Sequence, residues 1–295
     1  MSIDIYSGIL KMFEDFNPPT DNKLRFTYGF ADESFDRLKD SYPIANVAGE
    51  GTDLSKAVNL LHWVSENIYH KGDYDGHLPN ESITLLDYSY GAGRERGISC
   101  RSLSTVLTEC CLSIGIFART IHLMPCSPYN GDNHVVTSVY IADLSKWIML
   151  DPTYDCYLVD KTGNILDVFE IRRILSEKGE LQYCDKVNYN GDKFDDIREK
   201  ISEYFAKNLF YFWCRENNTF GSDNGKGGKM IVCSPAGYSV DKAKNINLHY
   251  RICQCGDSED MKVWKAEAGE NKTYVSQDIF MSSPTAPLTN HDCMA

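Results

Sequence analysis

The chain has 295 residues, of which 42% are hydrophobic and 12% aromatic, so it can bury a substantial core in one or two domains. Its formal net charge of −12 disfavours nucleic acid and anionic membrane surfaces as partners, because both carry negative charge. The 11 cysteines are scattered and no run approaches 18 apolar residues, so we expect a reduced, cytoplasmic protein without a disulfide framework, signal peptide or membrane span.

The residue pattern divides the chain into three parts. Residues 1–50 form a mixed segment that we expect to brace the core, with a strand over 24–30 and a short helix over 32–42. Residues 51–180 are expected to hold the core, and residues 181–295 a C-terminal helix followed by a β-rich extension.

The predicted core opens with helices. From 53 to 70, apolar residues recur in steps of three and four, which predicts an amphipathic helix with Asp53 as its N-cap. Residues 83–97 carry a shorter helical turn into a Gly-rich segment. A third helix follows, because apolar residues from 103 to 114 fall on one stripe and Gly115 supplies a C-terminal stop.

An antiparallel meander is predicted after the third helix. Residues 117–124, 134–142 and 147–151 have the composition of three strands, separated by a turn-rich loop at 126–133 and a tight turn at 143–146. Helices packed on an antiparallel sheet make the expected fold class α+β.

Two further helices are predicted, one over 167–179 at the end of the core and one over 193–214 at the start of the C-terminal part. The Gly-rich segment 221–229 is expected to be an exposed loop, and the polar tail from residue 282 is expected to be mobile. Three runs in the last third are rich in β-forming residues and are predicted to be strands: 229–235, 246–255 and 261–268.

Cys100 is the candidate nucleophile. It stands at the predicted start of a helix, where free N–H groups and the positive end of the helix dipole stabilise a thiolate. Cys110 and Cys111 lie deeper on the apolar stripe, where cysteine serves as a small core residue. A small buried residue is also the commoner interpretation of any lone cysteine, so the assignment of Cys100 depends on a partner base.

His134 and Asp151 are the candidate partners. His134 opens a strand and can pair with the thiolate at the helix start, while Asp151 ends the next strand and can orient the ring. With a tight turn between the strands, the end of one lies beside the start of the other. Each residue alone has a structural alternative, a strand-edge histidine or a strand-terminating aspartate. Six further histidines lack this context and are predicted to be structural or exposed: His62, His70, His77, His122, His249 and His291.

The stretch from about Leu54 to Tyr154 resembles the transglutaminase-like superfamily of papain-like thiol enzymes, over about a third of the chain. The matching blocks are GISCRS around Cys100, DNHVVTSVYI around His134 and KWIMLDPTYD around Asp151. The order Cys, His, Asp is the most specific feature, together with the spacing from Trp to Asp-Pro-Thr. The resemblance implies a papain-like, transglutaminase-like core with Cys100 as nucleophile, His134 as base and acid, and Asp151 as orienting residue.

An oxyanion hole follows from the same chemistry, and the backbone N–H of Cys100 at the helix start is one expected donor. For the second donor, Tyr88, Tyr90 and Asn67 remain open candidates. The calcium loops of animal transglutaminases and the Cys-x-x-Cys pair of zinc-bearing relatives are not recognisable, so we expect no cofactor and no metal. The Cys-x-Cys at 253–255 is interpreted as two core cysteines on one strand face.

The expected function is cysteine-dependent acyl transfer on amide bonds of a peptide or protein, through a thioester on Cys100. Hydrolysis by a peptidase or amidase is favoured over transglutaminase-like cross-linking. The main alternative is a catalytically inert binding or scaffold protein of the same fold, and a weaker one is a metal site built from cysteines and histidines. The oligomeric state stays open.

Overall fold

The computed structural model describes residues 2–20, 23–258 and 261–284. The end of the predicted mobile tail, with His291, lies outside the described residues. The described helices are α1 (Ser2–Met12), α2 (Glu33–Ser41), α3 (Ile44–Ala48), α4 (Asp53–Asn67), α5 (Ser82–Ser89), α6 (Cys100–Ser113), α7 (Val168–Ser176), α8 (Ile197–Asn208), α9 (Val240–Cys255), α10 (Lys262–Gly269) and α11 (Gln277–Phe280). The described strands are β1 (Thr27–Tyr28), β2 (Ala118–Met124), β3 (His134–Ile141), β4 (Lys146–Leu150), β5 (Leu158–Val159), β6 (Gln182–Tyr183), β7 (Tyr211–Arg215), β8 (Asn217–Asn218), β9 (Met230–Cys233) and β10 (Lys272–Tyr274).

A six-stranded sheet in the order β10-β9-β7-β2-β3-β4 forms the framework. Only β10 and β9 pair in parallel, and the other neighbours are antiparallel. The predicted meander supplies β2, β3 and β4, and helices pack against this sheet, so the α+β fold class is confirmed. None of the helices in the described ranges combines the length and the apolar character needed to cross a bilayer.

Helix α6 is the central helix and is buried on every side, whereas the sequence predicted a single apolar stripe. Every residue from Ser102 to Ser113 is buried. Its polar side chains have partners inside the molecule: Ser104 donates to the carbonyl of Val135 over 2.8 Å. Glu109 accepts from the backbone of Ser82 at the start of α5 over 2.8 Å. Satisfied hydrogen bonds therefore allow the polar face of this helix to be buried as well.

The predicted helix over 193–214 is wrong beyond Asn208. Helix α8 ends there, and Tyr211–Arg215 forms β7 in the middle of the sheet, between β2 and β9. Three of the side chains in β7 are aromatic, and the strand is buried on both faces. The periodicity of a short, continuous apolar run does not distinguish a helix from a strand. Here the segment is a strand because it pairs with a neighbouring strand on each of its two edges.

The predicted strands over 246–255 and 261–268 are also wrong, because both segments are helical, in α9 and α10. The Ser239 side chain caps α9, and its buried residues, Val240, Ala243 and Asn247, are spaced by three and four. That helical face begins before the run that was interpreted as a strand. Cys253 and Cys255 are exposed on α9 and are not core cysteines. The strand predicted over 229–235 is present as β9.

Two smaller expectations need correction near the N-terminus. The N-cap of α4 is Thr52, whose hydroxyl accepts from the N–H of Ser55, and Asp53 is the first helical residue. The strand expected over 24–30 is reduced to Thr27–Tyr28, which pairs with β8. In both cases the element exists and its boundary differs, which is the usual limit of local patterns.

The sheet joins the predicted core to the C-terminal extension, since β7, β9 and β10 continue the sheet that begins with β2, β3 and β4. At the other end of the chain, α1 packs against α7 and α8. The guanidinium of Arg172 in α7 is buried there and donates to the carbonyls of Leu10, Phe13 and Leu209. The division of the chain at residues 50 and 180 stays a prediction.

Candidate active site

Three elements bring the predicted site residues together. Cys100 is the first residue of α6, whose N-cap Ser99 accepts from the N–H of Ser102 over 3.3 Å. His134 is the first residue of β3. Asp151 follows β4, and the pairing of β3 with β4 carries it back to the start of β3. A helix start and two strand ends therefore meet at one edge of the sheet.

The three side chains interact in sequence. The Nε2 atom of His134 lies 2.6 Å from Oδ2 of Asp151, and both side chains are almost fully buried. The imidazole also interacts with the sulfur of Cys100, which is partly exposed. Because Nε2 faces the carboxylate, Nδ1 is the nitrogen left for the sulfur. Asp151 is held in turn by the N–H of Thr153, which donates to its Oδ1 over 2.9 Å.

The pKa values favour a thiolate–imidazolium pair. Burial opposes ionisation of Cys100, but hydrogen bonds from His134 and His70 outweigh it and lower the pKa of the thiol to about 6. Burial also opposes the charge on His134, but the charge and hydrogen bond of Asp151 outweigh it and raise the pKa of the imidazole to about 10. By contrast, burial raises the pKa of Cys111 to about 12. The thiol at the helix start is therefore the ionisable one in this helix.

Aromatic rings enclose the His134 imidazole. The ring centroids of Tyr154, Tyr204 and Phe205 lie 5.7, 5.2 and 5.8 Å from that of His134. The Tyr204 hydroxyl also donates to Asp132, in the loop that leads into β3, over 2.9 Å. These rings fix the imidazole and shield the pair with Asp151 from water, which strengthens their electrostatic interaction.

A second imidazole, that of His70, interacts with the same sulfur. From the sequence, His70 is grouped with the structural or exposed histidines, and its position beside Cys100 is not predicted. Its position comes from one isolated parallel bridge, between His70 and Ile98, two residues before Cys100. A bridge of one residue leaves no periodic pattern in the sequence, so no signal in the chain could have identified it.

The three residues considered as the second oxyanion donor have other partners. Asn67 donates its side-chain amide to the carbonyl of Trp63 over 2.8 Å. Tyr90 packs against Trp63, at a centroid distance of 5.4 Å, and is 38% exposed. Tyr88 lies in a cluster of rings with Tyr74, at a centroid distance of 6.3 Å. All three residues precede Cys100 in the sequence, which made them candidates. In the structure their side chains bind or pack against Trp63 and Tyr74.

Arg101, the residue after the nucleophile, is tied to the segment 221–229. Its Nε donates to Oδ2 of Asp223 over 2.9 Å, and the same carboxylate accepts from Asn80 and Thr105. Asp223 is only 5% exposed, so the expectation of an exposed loop over 221–229 is wrong at this position. Burial raises the pKa of Asp223, but the positive charge of Arg101 outweighs it and holds that pKa below its ordinary value.

A second histidine–carboxylate pair lies near the first. His62 on α4 places Nδ1 2.5 Å from Oδ1 of Asp155, and Asn188 donates to the other oxygen of Asp155 over 3.1 Å. The thiol of Cys184 donates to the backbone carbonyl of Asp155, with a separation of 3.6 Å. Within the described ranges, no three His, Cys, Asp or Glu side chains are grouped to hold a metal ion.

Two grooves lie near residues that adjoin the site, although the three predicted site residues line neither of them. One of about 550 Å³ is lined by Tyr69 and Asn190, which adjoin or bind His70, and by Asp155. Another of about 480 Å³ is lined by Arg101 and Trp213, together with further residues of β7 and α10. Charged side chains contribute to the walls of both grooves.

Comparison with known proteins gives one family and two distant structures. Residues 42–152 match the transglutaminase-like superfamily. No curated protein matches the chain. A candidate cysteine protease from Cytophaga hutchinsonii is similar at 18% identity over 51% of this chain and 49% of that one, with a TM-score of 0.31. An arylamine N-acetyltransferase from Mycobacterium abscessus is similar at 10% identity over 82% of this chain and 99% of that one, with a TM-score of 0.32.

The chain spans about half the length of the Cytophaga protein that it matches. The matched family segment contains Cys100, His134 and Asp151, and it agrees with the stretch in which the sequence showed its resemblance. The resemblance is thereby confirmed: the segment from residue 42 to residue 152 matches the model of the transglutaminase-like superfamily.

Proposed function

We propose that this protein is a cysteine-dependent acyl-transfer enzyme that acts on amide bonds through a thioester on Cys100. The observation that carries the proposal is the convergence of Cys100, His134 and Asp151 at one edge of the sheet, with 2.6 Å between His134 and Asp151 and an interaction between the imidazole and the Cys100 sulfur. A pKa of about 6 for the thiol makes it a thiolate at neutral pH, which is the nucleophilic form.

The proposed reaction has two stages. The Cys100 thiolate attacks the amide carbonyl, and the electron pair of the C=O bond moves to oxygen. Collapse of this intermediate breaks the C–N bond, His134 gives its proton to the leaving amine, and a thioester remains on sulfur. In the second stage His134 removes a proton from the acceptor, which attacks the thioester and releases the thiolate. Asp151 orients the ring in both stages and stabilises the imidazolium whenever His134 carries the proton.

Peptides or proteins are the proposed substrates, and water is the proposed acceptor. Water yields a carboxylic acid and makes the protein a peptidase or amidase, whereas an amine would yield a cross-link. Superfamily members with these sequence blocks are expected to hydrolyse more often than to cross-link, which is a fold-level argument. The two nearby grooves combine apolar surface with charged side chains, which is compatible with a peptide that presents both side chains and polar backbone groups.

A peptide-library experiment tests the proposal. The wild-type chain is incubated with a library of N-acetylated peptides in isotopically labelled water, with and without a primary alkylamine, and products are identified by mass spectrometry. We expect products that carry the label, an acyl adduct on Cys100 after acid quenching, and loss of both in Cys100→Ala. A control variant, Cys126→Ala, removes another partly exposed thiol and should keep the activity.

The outcomes separate the competing functions. Incorporation of the alkylamine in preference to water would replace hydrolysis by cross-linking and leave the thioester chemistry intact. Product formation that survives in Cys100→Ala would refute the proposed nucleophile. A fully folded wild-type chain that forms neither product nor adduct with any peptide would favour the inert scaffold.

A further inference from the structure

The sulfur of Cys100 has two imidazole partners with different surroundings. His134 is paired with a buried carboxylate, which suits it to carry a proton and a positive charge. Among the described residues, no carboxylate is bonded to the ring of His70, and its Nδ1 lies 3.0 Å from the hydroxyl of Tyr189. One imidazole is therefore equipped as a base, and the other has a neutral partner.

The partner on Nδ1 determines what the other nitrogen of His70 can do. Tyr189 can donate its hydroxyl proton to Nδ1, which leaves the ring proton on Nε2 in a neutral imidazole. Because a thiolate only accepts hydrogen bonds, the nitrogen that faces it must carry a proton. Both conditions are met by the same tautomer, in which the Nε2–H of His70 donates toward the sulfur.

The backbone around His70 is held rigidly. Asn190 accepts from the N–H of His70 over 2.7 Å and donates to its carbonyl over 3.1 Å. On the other side, the N–H of Ile98 donates to the carbonyl of Tyr69 over 3.0 Å. The two segments approach so closely that a Cβ on Gly97 would lie 3.0 Å from that carbonyl. A donor mounted in this way is preorganised and costs little reorganisation during a reaction.

During the reaction, negative charge develops on the oxygen of the acyl group, and two hydrogen-bond donors lie near that oxygen. An acyl carbon bonded to Cys100 puts its oxygen near the first residue of α6, whose N–H has no partner within the helix. His70 pairs with Ile98, two residues before Cys100, and its ring interacts with the sulfur to which that carbon is bonded, so its Nε2–H can reach the same oxygen. We propose that His70 is a catalytic residue and supplies the second hydrogen-bond donor of the oxyanion hole, an inference that rests on the proposed acyl transfer.

In the proposed step, the S–C bond forms and the C=O electron pair moves onto oxygen. His70 and the backbone N–H of Cys100 donate hydrogen bonds to that oxygen and transfer no proton. When the intermediate collapses, the pair returns to form the C=O bond of the thioester and the leaving group departs. His70 therefore acts on the oxyanion, whereas His134 moves the proton.

Two reactions of the same thiolate separate this function from a role in activating the sulfur. Alkylation by iodoacetamide displaces iodide and forms no oxyanion, whereas acylation by p-nitrophenyl acetate forms one. Both rates are measured across pH, and their plateaus, where Cys100 is ionised, are compared. The variants are His70→Ala, His70→Gln, which keeps an N–H donor, and His249→Ala, an exposed histidine on α9, as the control.

In His70→Ala we expect the acylation plateau to fall by about 100-fold while the alkylation plateau stays within about threefold of wild type. His70→Gln should recover most of the loss, and His249→Ala should match the wild type in both reactions. Recovery by a neutral amide would exclude a role in proton transfer.

Two results would overturn the inference while the proposed function stands. One is a Cys100-dependent acylation burst that His70→Ala leaves unchanged. The other is an equal loss of acylation and alkylation in a variant with the wild-type melting temperature, which would assign His70 to the thiolate alone. A burst that persists in Cys100→Ala would instead refute the proposed function itself.

Discussion

Two of the histidine–carboxylate pairs in the described part of the chain have buried acids that are four residues apart, Asp151 and Asp155. In the first, 2.6 Å separates Nε2 of His134 from Asp151, and in the second, 2.5 Å separates Nδ1 of His62 from Asp155. Both acids are buried, and both belong to the turn that follows β4. Only one of the two rings is proposed to take part in chemistry.

The difference lies in what each ring faces on its other side. His134 faces a thiol at the start of α6, and the pKa of that thiol is lowered to about 6. The thiol near the second pair, that of Cys184, donates to a backbone carbonyl, and burial raises its pKa above the ordinary value. A histidine–carboxylate pair is therefore insufficient, because a nucleophile also needs a helix start and direct contact with the ring.

The largest expected effect follows from removing each thiol. Cys100→Ser should lower the rate of thioester-dependent hydrolysis by about 10⁴-fold or more, because a serine hydroxyl is not ionised by this pair. Cys184→Ser should leave the rate within about twofold, since its sulfur is paired with the backbone. Single-turnover kinetics on the best peptide of the library measures both. A comparable loss in the two variants would contradict the distinction between the pairs.

A smaller effect is expected when each acid loses its charge. Asp151→Asn should lower kcat by about 10³- to 10⁴-fold, because the amide no longer stabilises the imidazolium and favours the wrong tautomer. Asp155→Asn should keep kcat within about threefold, because its partner is not in the proposed line of catalysis. Asn also suits the left-handed backbone of Asp155, where φ is 49°. Equal kcat values for the two variants would remove Asp151 from the mechanism.

The pair of His134 and Asp151, together with Cys100, could be predicted from the sequence because all three residues stand at the ends of regular elements. Cys100 begins a periodic helix, His134 begins a strand, and Asp151 precedes a proline, so antiparallel pairing places the last two together. The second pair could not, because Asp155 lies inside an irregular turn and has a positive φ of 49°. Its contact with α4 depends on how that turn folds, and local patterns do not carry this information.

The same reason explains the other omissions. His70 is placed beside Cys100 by one isolated bridge, and Asp223 reaches Arg101 from a Gly-rich segment that predicted only an exposed loop. The helix α9 and the strand β7 were assigned to the wrong type because short apolar runs fit both periods. Contacts that loops make with residues far away in the sequence are set by tertiary packing, and so are the ends of strands. Neither leaves a signature in a few consecutive residues.

The pH dependence should also separate the two thiols. For Cys100, the thiolate accumulates as pH rises through about 6, and the imidazolium that accompanies it is lost as pH rises through about 10. Hydrolysis should therefore follow a bell-shaped profile between these values. Iodoacetamide labelling of Cys184 should increase only above its ordinary pKa, which burial raises. Mass spectrometry of both peptides across pH measures this, and coincident labelling curves would contradict it.

The smallest expected effect is structural. His62→Ala removes one hydrogen-bond partner of the buried Asp155 carboxylate, while the bond from Asn188 remains. The free energy of unfolding should fall by about 1–3 kcal/mol, the usual cost of leaving a buried polar group with fewer partners. The peptide-hydrolysis rate should stay within about twofold of wild type, because His62 does not contact Cys100, His134 or Asp151 in the proposed mechanism.

Urea unfolding measures the His62 effect, and an unchanged m-value would show that the same structure unfolds in the variant. His249→Ala, at an exposed position on α9, serves as the control and should change stability by less than about 0.5 kcal/mol. A variant of His62 that keeps full stability but loses the hydrolysis rate would reverse the roles given to the two pairs. If His62→Ala loses stability but keeps the hydrolysis rate, the His62–Asp155 pair stabilises the turn that carries Asp151 and has no part in catalysis.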